Sequence, residues 1–116
     1  MNVYRYITSG GKDLIADYLN NLPKSEKAEG LFIMMKLEEE GLVYLKESLD
    51  TRQIDKKLWE IKFPRQNRFF YVVADKDNFY ILHACKKQKD KAELFEVETA
   101  KQRAKQVGKE LGKVFV

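Results

Sequence analysis

Cysteine occurs once in the 116 residues, at Cys85, and histidine once, at His83. A lone cysteine cannot close an internal disulfide, and one cysteine with one histidine falls short of the usual zinc sets. Only two prolines are present, Pro23 and Pro64, and hydrophobic content is 44%, which argues against disorder. No apolar run is long enough to span a bilayer and no signal-peptide pattern is visible, so a soluble, cytoplasmic protein is expected. There are no repeats, no linker and no low-complexity segment. These absences leave one domain, residues 1–116, large enough to bury a core without staples or metals.

Charge is the first positive feature. The net value is +4, but it is unevenly spread. Residues 1–51 carry six Lys/Arg against nine Asp/Glu, residues 52–91 eleven against five, and residues 92–116 five against four. The positive field therefore sits on the middle segment. Such asymmetry suits a polyanion or an acidic partner. It is equally what a solvated basic rim with no ligand would look like.

Hydrophobic spacing divides the chain into helices around a central sheet. Asn2 to Thr8 can form a first strand, ended by the turn Ser9-Gly10-Gly11. Lys12 to Asn21 places Leu14, Ile15, Tyr18, Leu19 and Leu22 on one helical face, and Pro23 stops it. A second helix is expected from Ser25, a good N-cap, with Ala28, Leu31, Phe32 and Met35 as its core stripe, Met34 and Leu37 broadening it, and Gly41 terminating it. Residues 42–57 are hard to read: Leu42 to Leu45 are apolar enough for an extended piece or a helical turn, and Lys46 to Lys57, without clear period, reads as a loop crossing to the sheet. Asp90 and Glu93 have the spacing of a capping box, opening a last helix whose apolar side is Val97, Ala100, Ala104, Val107 and Leu111. Gly112 ends it.

Between these helices lie three apolar runs, Leu58 to Phe63, Phe69 to Ala74 and Phe79 to Cys85, rich in the aromatic and β-branched residues that favour strands. Pro64 to Asn67 and Asp75 to Asn78 separate them, so the segment reads as an antiparallel meander with four-residue loops. The expected architecture is α+β: a helical hairpin and a C-terminal helix packed on a small antiparallel sheet. If Ala74 pairs with Phe79, Phe70 falls opposite His83 and Arg68 opposite Cys85. Arg68, His83 and Lys87 would then meet at one sheet edge, an arrangement a one-residue slip would destroy.

The meander also carries a family resemblance. Leu-Trp-Glu-Ile-Lys, then Asn-Arg-Phe-Phe-Tyr, then Leu-His-Ala-Cys-Lys-Lys-Gln-Lys-Asp-Lys entering a helix resembles the RelE/ParE superfamily of bacterial toxins, nearest its HigB-like, phage-related branch. The likeness covers roughly residues 55 to 107. The sequence departs from the branch pattern at Lys62, Asn67 and Cys85, and no proline follows Lys91. The resemblance implies a type II toxin that cleaves messenger RNA on the ribosome without metal or cofactor, restrained by a cognate antitoxin protein. It implies catalytic roles for Arg68, Lys86 and Lys87. Substrate-binding roles would fall to Lys62, Arg65, His83, Lys89 and Lys91.

The chemistry fits those residue types. The ribose 2′-OH must lose a proton, the phosphate charge must be stabilised, and the leaving 5′-oxygen must gain a proton. Arg68 can offer planar paired donors to phosphate oxygens and stays charged throughout. Lysines after the last strand can exchange protons, a contribution typically of about 10²–10⁴-fold. Each residue also has a plainer reading. His83 suits a hydrogen-bonded structural histidine, Cys85 a small core residue, Trp59, Phe69, Tyr71 and Tyr80 core aromatics, and Glu60 a cross-strand partner for a base. Two rival functions stay open: gyrase inhibition in the manner of ParE, and an inactive phage-derived module that binds RNA or protein.

Overall fold

A computed structural model describes residues 1–116. Strand β1 (Asn2–Arg5) leads to helices α1 (Leu14–Asn20), α2 (Lys24–Glu40) and α3 (Leu42–Ser48). Strands β2 (Asp50–Asp55), β3 (Leu58–Phe63), β4 (Asn67–Asp75) and β5 (Asn78–Lys86) follow, and helix α4 (Asp90–Leu111) closes the chain. The class is α+β, as the sequence indicates. The sheet is larger than expected: five strands in the order β1-β5-β4-β3-β2.

The β3-β4-β5 meander stands, with the expected first strand added at one edge and the unforeseen β2 at the other. β1 lies parallel to β5, with Val3 opposite Phe79, so the sheet is mixed rather than antiparallel. β2 pairs antiparallel with β3, and α3 precedes it. The helical turn allowed at Leu42 to Leu45 is thus the start of α3, and residues 46–57, expected as a loop, hold the end of that helix and an edge strand. Their sequence hides this because β2, Asp-Thr-Arg-Gln-Ile-Asp, is almost wholly polar, as suits an edge with one neighbour.

The two faces of the sheet bury separate cores. Ile61, Phe63, Phe69, Tyr71, Phe79 and Ile81 point to α1, α2 and α3. Leu58, Phe70, Val72, Leu82 and Cys85 point the other way, to Ala100, Ala104 and Val107 of α4 and to Phe115 of the tail. The last helix therefore covers the opposite face from the hairpin instead of lying beside it. Its left-handed end at Gly112 (φ 68°) turns the chain back so that Phe115 docks, as the expected stop requires.

The β4–β5 register sets the functional end. Phe70 lies opposite His83 and Arg68 opposite Cys85, as the sequence suggests. The turn between them differs. Asp75 pairs with Asn78, leaving only Lys76 and Asp77 to turn, and Val73 then pairs with Phe79. An irregularity on each side of the Val73–Tyr71 segment restores the register by Phe70.

Four helix expectations need correction. α1 begins at Leu14, capped by Asp13, whose carboxylate accepts from the Ala16 N–H at 2.9 Å. α2 begins at Lys24 after Pro23, so Ser25 is inside the first turn rather than capping it. Its core face is Gly30, Ile33, Met34 and Leu37 together with Glu26, while Leu31, Phe32 and Met35 are about half exposed. Of the expected stripe Met34 and Leu37 are in the core and Ala28, Leu31, Phe32 and Met35 are not, because this helix is apolar on two opposite faces. The capping box at Asp90 and Glu93 does not form either: Lys89 is the cap, without a side-chain bond, and Glu93 reaches elsewhere.

Candidate nucleic-acid interface

At the hairpin end of the sheet, β3, β4 and the segment after β5 enclose an open cleft of about 620 Å³. Lys62 of β3 and Lys87 and Lys89 after β5 stand around it, Arg68 of β4 forms part of its floor, and Asp50 is its sole acid. Strand pairing explains the grouping. Lys62 lies opposite Arg68 across β3–β4, and the Lys87 N–H donates to the Gln66 carbonyl at 2.8 Å, pinning the post-strand segment to the turn. A hollow lined by four cations and one carboxylate attracts anions.

Arg68 is held differently from its neighbours. It is 1% exposed, and its guanidinium is clamped by two carboxylates. Nη1 donates to Glu60 Oε2 at 2.8 Å, and Nη2 donates to both oxygens of Glu93, Oε2 at 2.7 Å. Its plane lies 4.8 Å from the Phe70 ring centre. Burial opposes the charge, but the Glu93 and Glu60 carboxylates outweigh it and raise the arginine above its usual value. Nε has no partner. Glu60 is fully buried as well, and its other oxygen lies 2.9 Å from Arg52 Nε, an ion pair without aligned hydrogen-bond geometry. Glu60 thus bridges bases on both flanking strands, the cross-strand role read from the sequence.

The remaining expected site residues scatter. Lys86 points to the other side of the turn, where Nζ donates to Glu26 Oε1 at 2.6 Å and to the Arg65 carbonyl at 2.9 Å. Arg65 and Lys91 are exposed and do not line the cleft. His83 sits under α4. Its Nε2 is 2.6 Å from Glu96 Oε2, and Arg103 Nη1 donates to Nδ1 at 3.1 Å, which fixes the proton on Nε2. Burial, working against the Glu96 contact, lowers its pKa and keeps it neutral. With both ring nitrogens engaged, His83 is a structural histidine. The expected register puts His83 on the face of the sheet that Arg68 shares, but only Lys87 lines the cleft with Arg68.

Several partners were not foreseen. Glu26 on α2 accepts from the Arg65 N–H, from Asn67 Nδ2 at 2.8 Å and from Lys86, and these bonds, Lys86 first, hold its carboxyl down to about 2. Asn67 also accepts from the Tyr18 hydroxyl at 2.5 Å. The departure at Asn67 has a structural role: its amide ties the β3–β4 turn to α1 and α2. A polar residue beginning an apolar strand was the available clue. Cys85, His83 and Glu96 bring their ligating atoms within 4.8 Å of one another. Burial, foremost, and Glu96 push the Cys85 thiol up, and both histidine nitrogens are in use, so the trio reads as a hydrogen-bonded knot.

A second cleft of about 590 Å³ lies on the α1–α3 face, floored by Trp59 and Tyr71 and rimmed by Lys46, Lys56 and Lys57. It contains no buried cation, and its floor continues the core. The first cleft is the better candidate because strand pairing fixes Lys62 beside Arg68 and the Gln66 contact holds Lys87 at the same end of the sheet.

Fold and cleft together define a small basic α+β protein with a cationic hollow at one end of its sheet. The sequence matches the model of the phage-derived protein Gp49-like family (DUF891) over residues 17–105. The chain belongs to that family, which is a RelE/toxin-like one. No curated protein is significantly similar to it. No helix is long and apolar enough to cross a membrane.

Proposed function

We propose that the chain is the toxin of a type II toxin–antitoxin pair, close to the HigB-like branch with a RelE-like fold, and that it cleaves messenger RNA on the ribosome. The observation that carries the reading is the cleft that Lys62, Lys87 and Lys89 line together with the buried Arg68. In this reading the three lysines grip the RNA backbone. The 2′-OH gives up its proton to water as its oxygen attacks phosphorus, the P–O5′ bond breaks to leave a 2′,3′-cyclic phosphate, and the leaving 5′-oxygen takes a proton from Lys87 or Lys89. Lys86, tied to Glu26, positions the turn.

Arg68 enters by exchange. The Glu93 carboxylate puts both oxygens on the single Nη2, the donor that together with Nε makes one forked edge of the guanidinium. A scissile phosphate displacing Glu93 would gain that fork, the unpartnered Nε included. The first turn of α4 can yield, since Asp90 starts it at φ 54° and Lys89 gives no side-chain cap.

The engaged guanidinium also favours a second reading, a non-catalytic binding module. Expression in bacteria separates the two. Growth arrest with new 5′ ends in messages, lost in a Lys62→Ala, Lys87→Ala, Lys89→Ala variant, is the expected outcome. Absence of arrest supports the module, and arrest with intact messages and relaxed plasmid DNA supports gyrase inhibition.

A further inference from the structure

The outward face of α2 is an unpartnered apolar stripe. Successive helical residues are about 100° apart, so Lys24, Ala28, Leu31, Phe32, Met35 and Glu39 fall on one side, opposite the buried Gly30, Ile33, Met34 and Leu37. All six are exposed, and Leu31, Phe32 and Met35 expose 46–47% of their surface. Isolated exposed leucines are ordinary. A continuous apolar stripe on one face is an interaction surface until shown otherwise.

From this stripe we infer that two copies of the chain associate through α2, packed antiparallel about a two-fold axis at Leu31 and Phe32. A two-fold contact requires a surface complementary to itself. Reversed about that centre, the stripe sets Leu31 against Phe32 of the second copy and the long Met35 against the small Ala28. It also sets Lys24 against Glu39 at both ends. Those charges are available: Lys24 has no ion pair in its own chain, and Glu39 is only within 3.9 Å of Lys36, which bonds Glu40 at 2.5 Å instead. Lys36 is further occupied by lying over the Phe32 ring. A parallel pairing would set Lys24 against Lys24 and Glu39 against Glu39. Antiparallel packing also opposes the helix dipoles favourably.

Sedimentation of the full chain over a micromolar to millimolar series tests the inference, with circular dichroism confirming that each variant is folded. The wild type should show a monomer–dimer equilibrium, and Phe32→Glu, an exposed position, should weaken it at least tenfold. Lys24→Glu alone and Glu39→Lys alone should each weaken it several-fold at low salt, whereas the two together should restore it. A wild type that stays monomeric overturns the proposal and leaves the stripe to a different protein. A dimer indifferent to Phe32→Glu, or charge reversals without rescue, overturns the antiparallel pairing.

Discussion

At the scale of single residues, Arg68 serves the fold before it can serve chemistry. It neutralises Glu60, which is fully buried, and stacks over Phe70. Removing one partner of a buried pair leaves the other charge stranded, at a cost of about 3–5 kcal/mol. Arg68→Ala should therefore lower the urea midpoint by that equivalent, and an arrest-negative Arg68→Ala would say little about catalysis. A midpoint unchanged within error would show that the clamp does not form. Acid sensitivity follows from Glu26 and His83. Glu26 is depressed from 4.5 to about 2 by its Lys86, Arg65 and Asn67 bonds, so its contribution is complete above pH 4.5 and lost as pH falls towards 2. His83 is lowered from 6.5 by burial, so below pH 6.5 the unfolded chain takes its proton first and stability again falls. Urea midpoints measured from pH 8 to pH 3 should decline below 6.5 and again below 4.5. Glu26→Gln should flatten only the lower limb. A Glu26→Gln profile parallel to wild type throughout would remove Glu26 from the account.

At the scale of elements, legibility followed how many neighbours each element has. β3, β4 and β5 are buried and aromatic, so the sequence announced them, and with them the pairing of Arg68 with Cys85. β2 has one neighbour and a polar sequence, and α3 is a two-turn helix after Gly41, so neither carries a periodic pattern long enough to read. α2 misled because both of its faces are apolar. Glu93 misled because its spacing from Asp90 satisfied a local rule while Arg68, 25 residues away in sequence, offered a stronger partner. In the proposed exchange that tertiary bond makes the start of α4 a latch on Arg68. Glu93→Gln keeps the side chain's shape but removes its charge, which should loosen the latch. Affinity for a short single-stranded RNA should rise several-fold by fluorescence anisotropy. Unchanged or weaker binding would mean that Glu93 does not compete for the same donors.

At the scale of the whole molecule, the sheet sorts its tasks by face and by end. The α1–α3 face and the α4 face bury the two cores, while the β3–β4 turn and the segment after β5 gather the unburied cations. The charge map read from the sequence located that gathering to residues 52–91, but not which lysines share a hollow. Lys87 and Lys89 face the cleft, whereas Lys86 turns to Glu26 and Lys91 stays in solvent, a choice made by the end of β5 and the Gln66 contact. The measurement that tests the account most directly is mapping of message ends in a purified translation system. Wild-type protein should create new 5′ ends only when ribosomes are present, and the Lys62→Ala, Lys87→Ala, Lys89→Ala variant, folded by its urea midpoint, should reduce them at least a hundredfold. Equal cleavage by that variant, or none by the wild type, would contradict it.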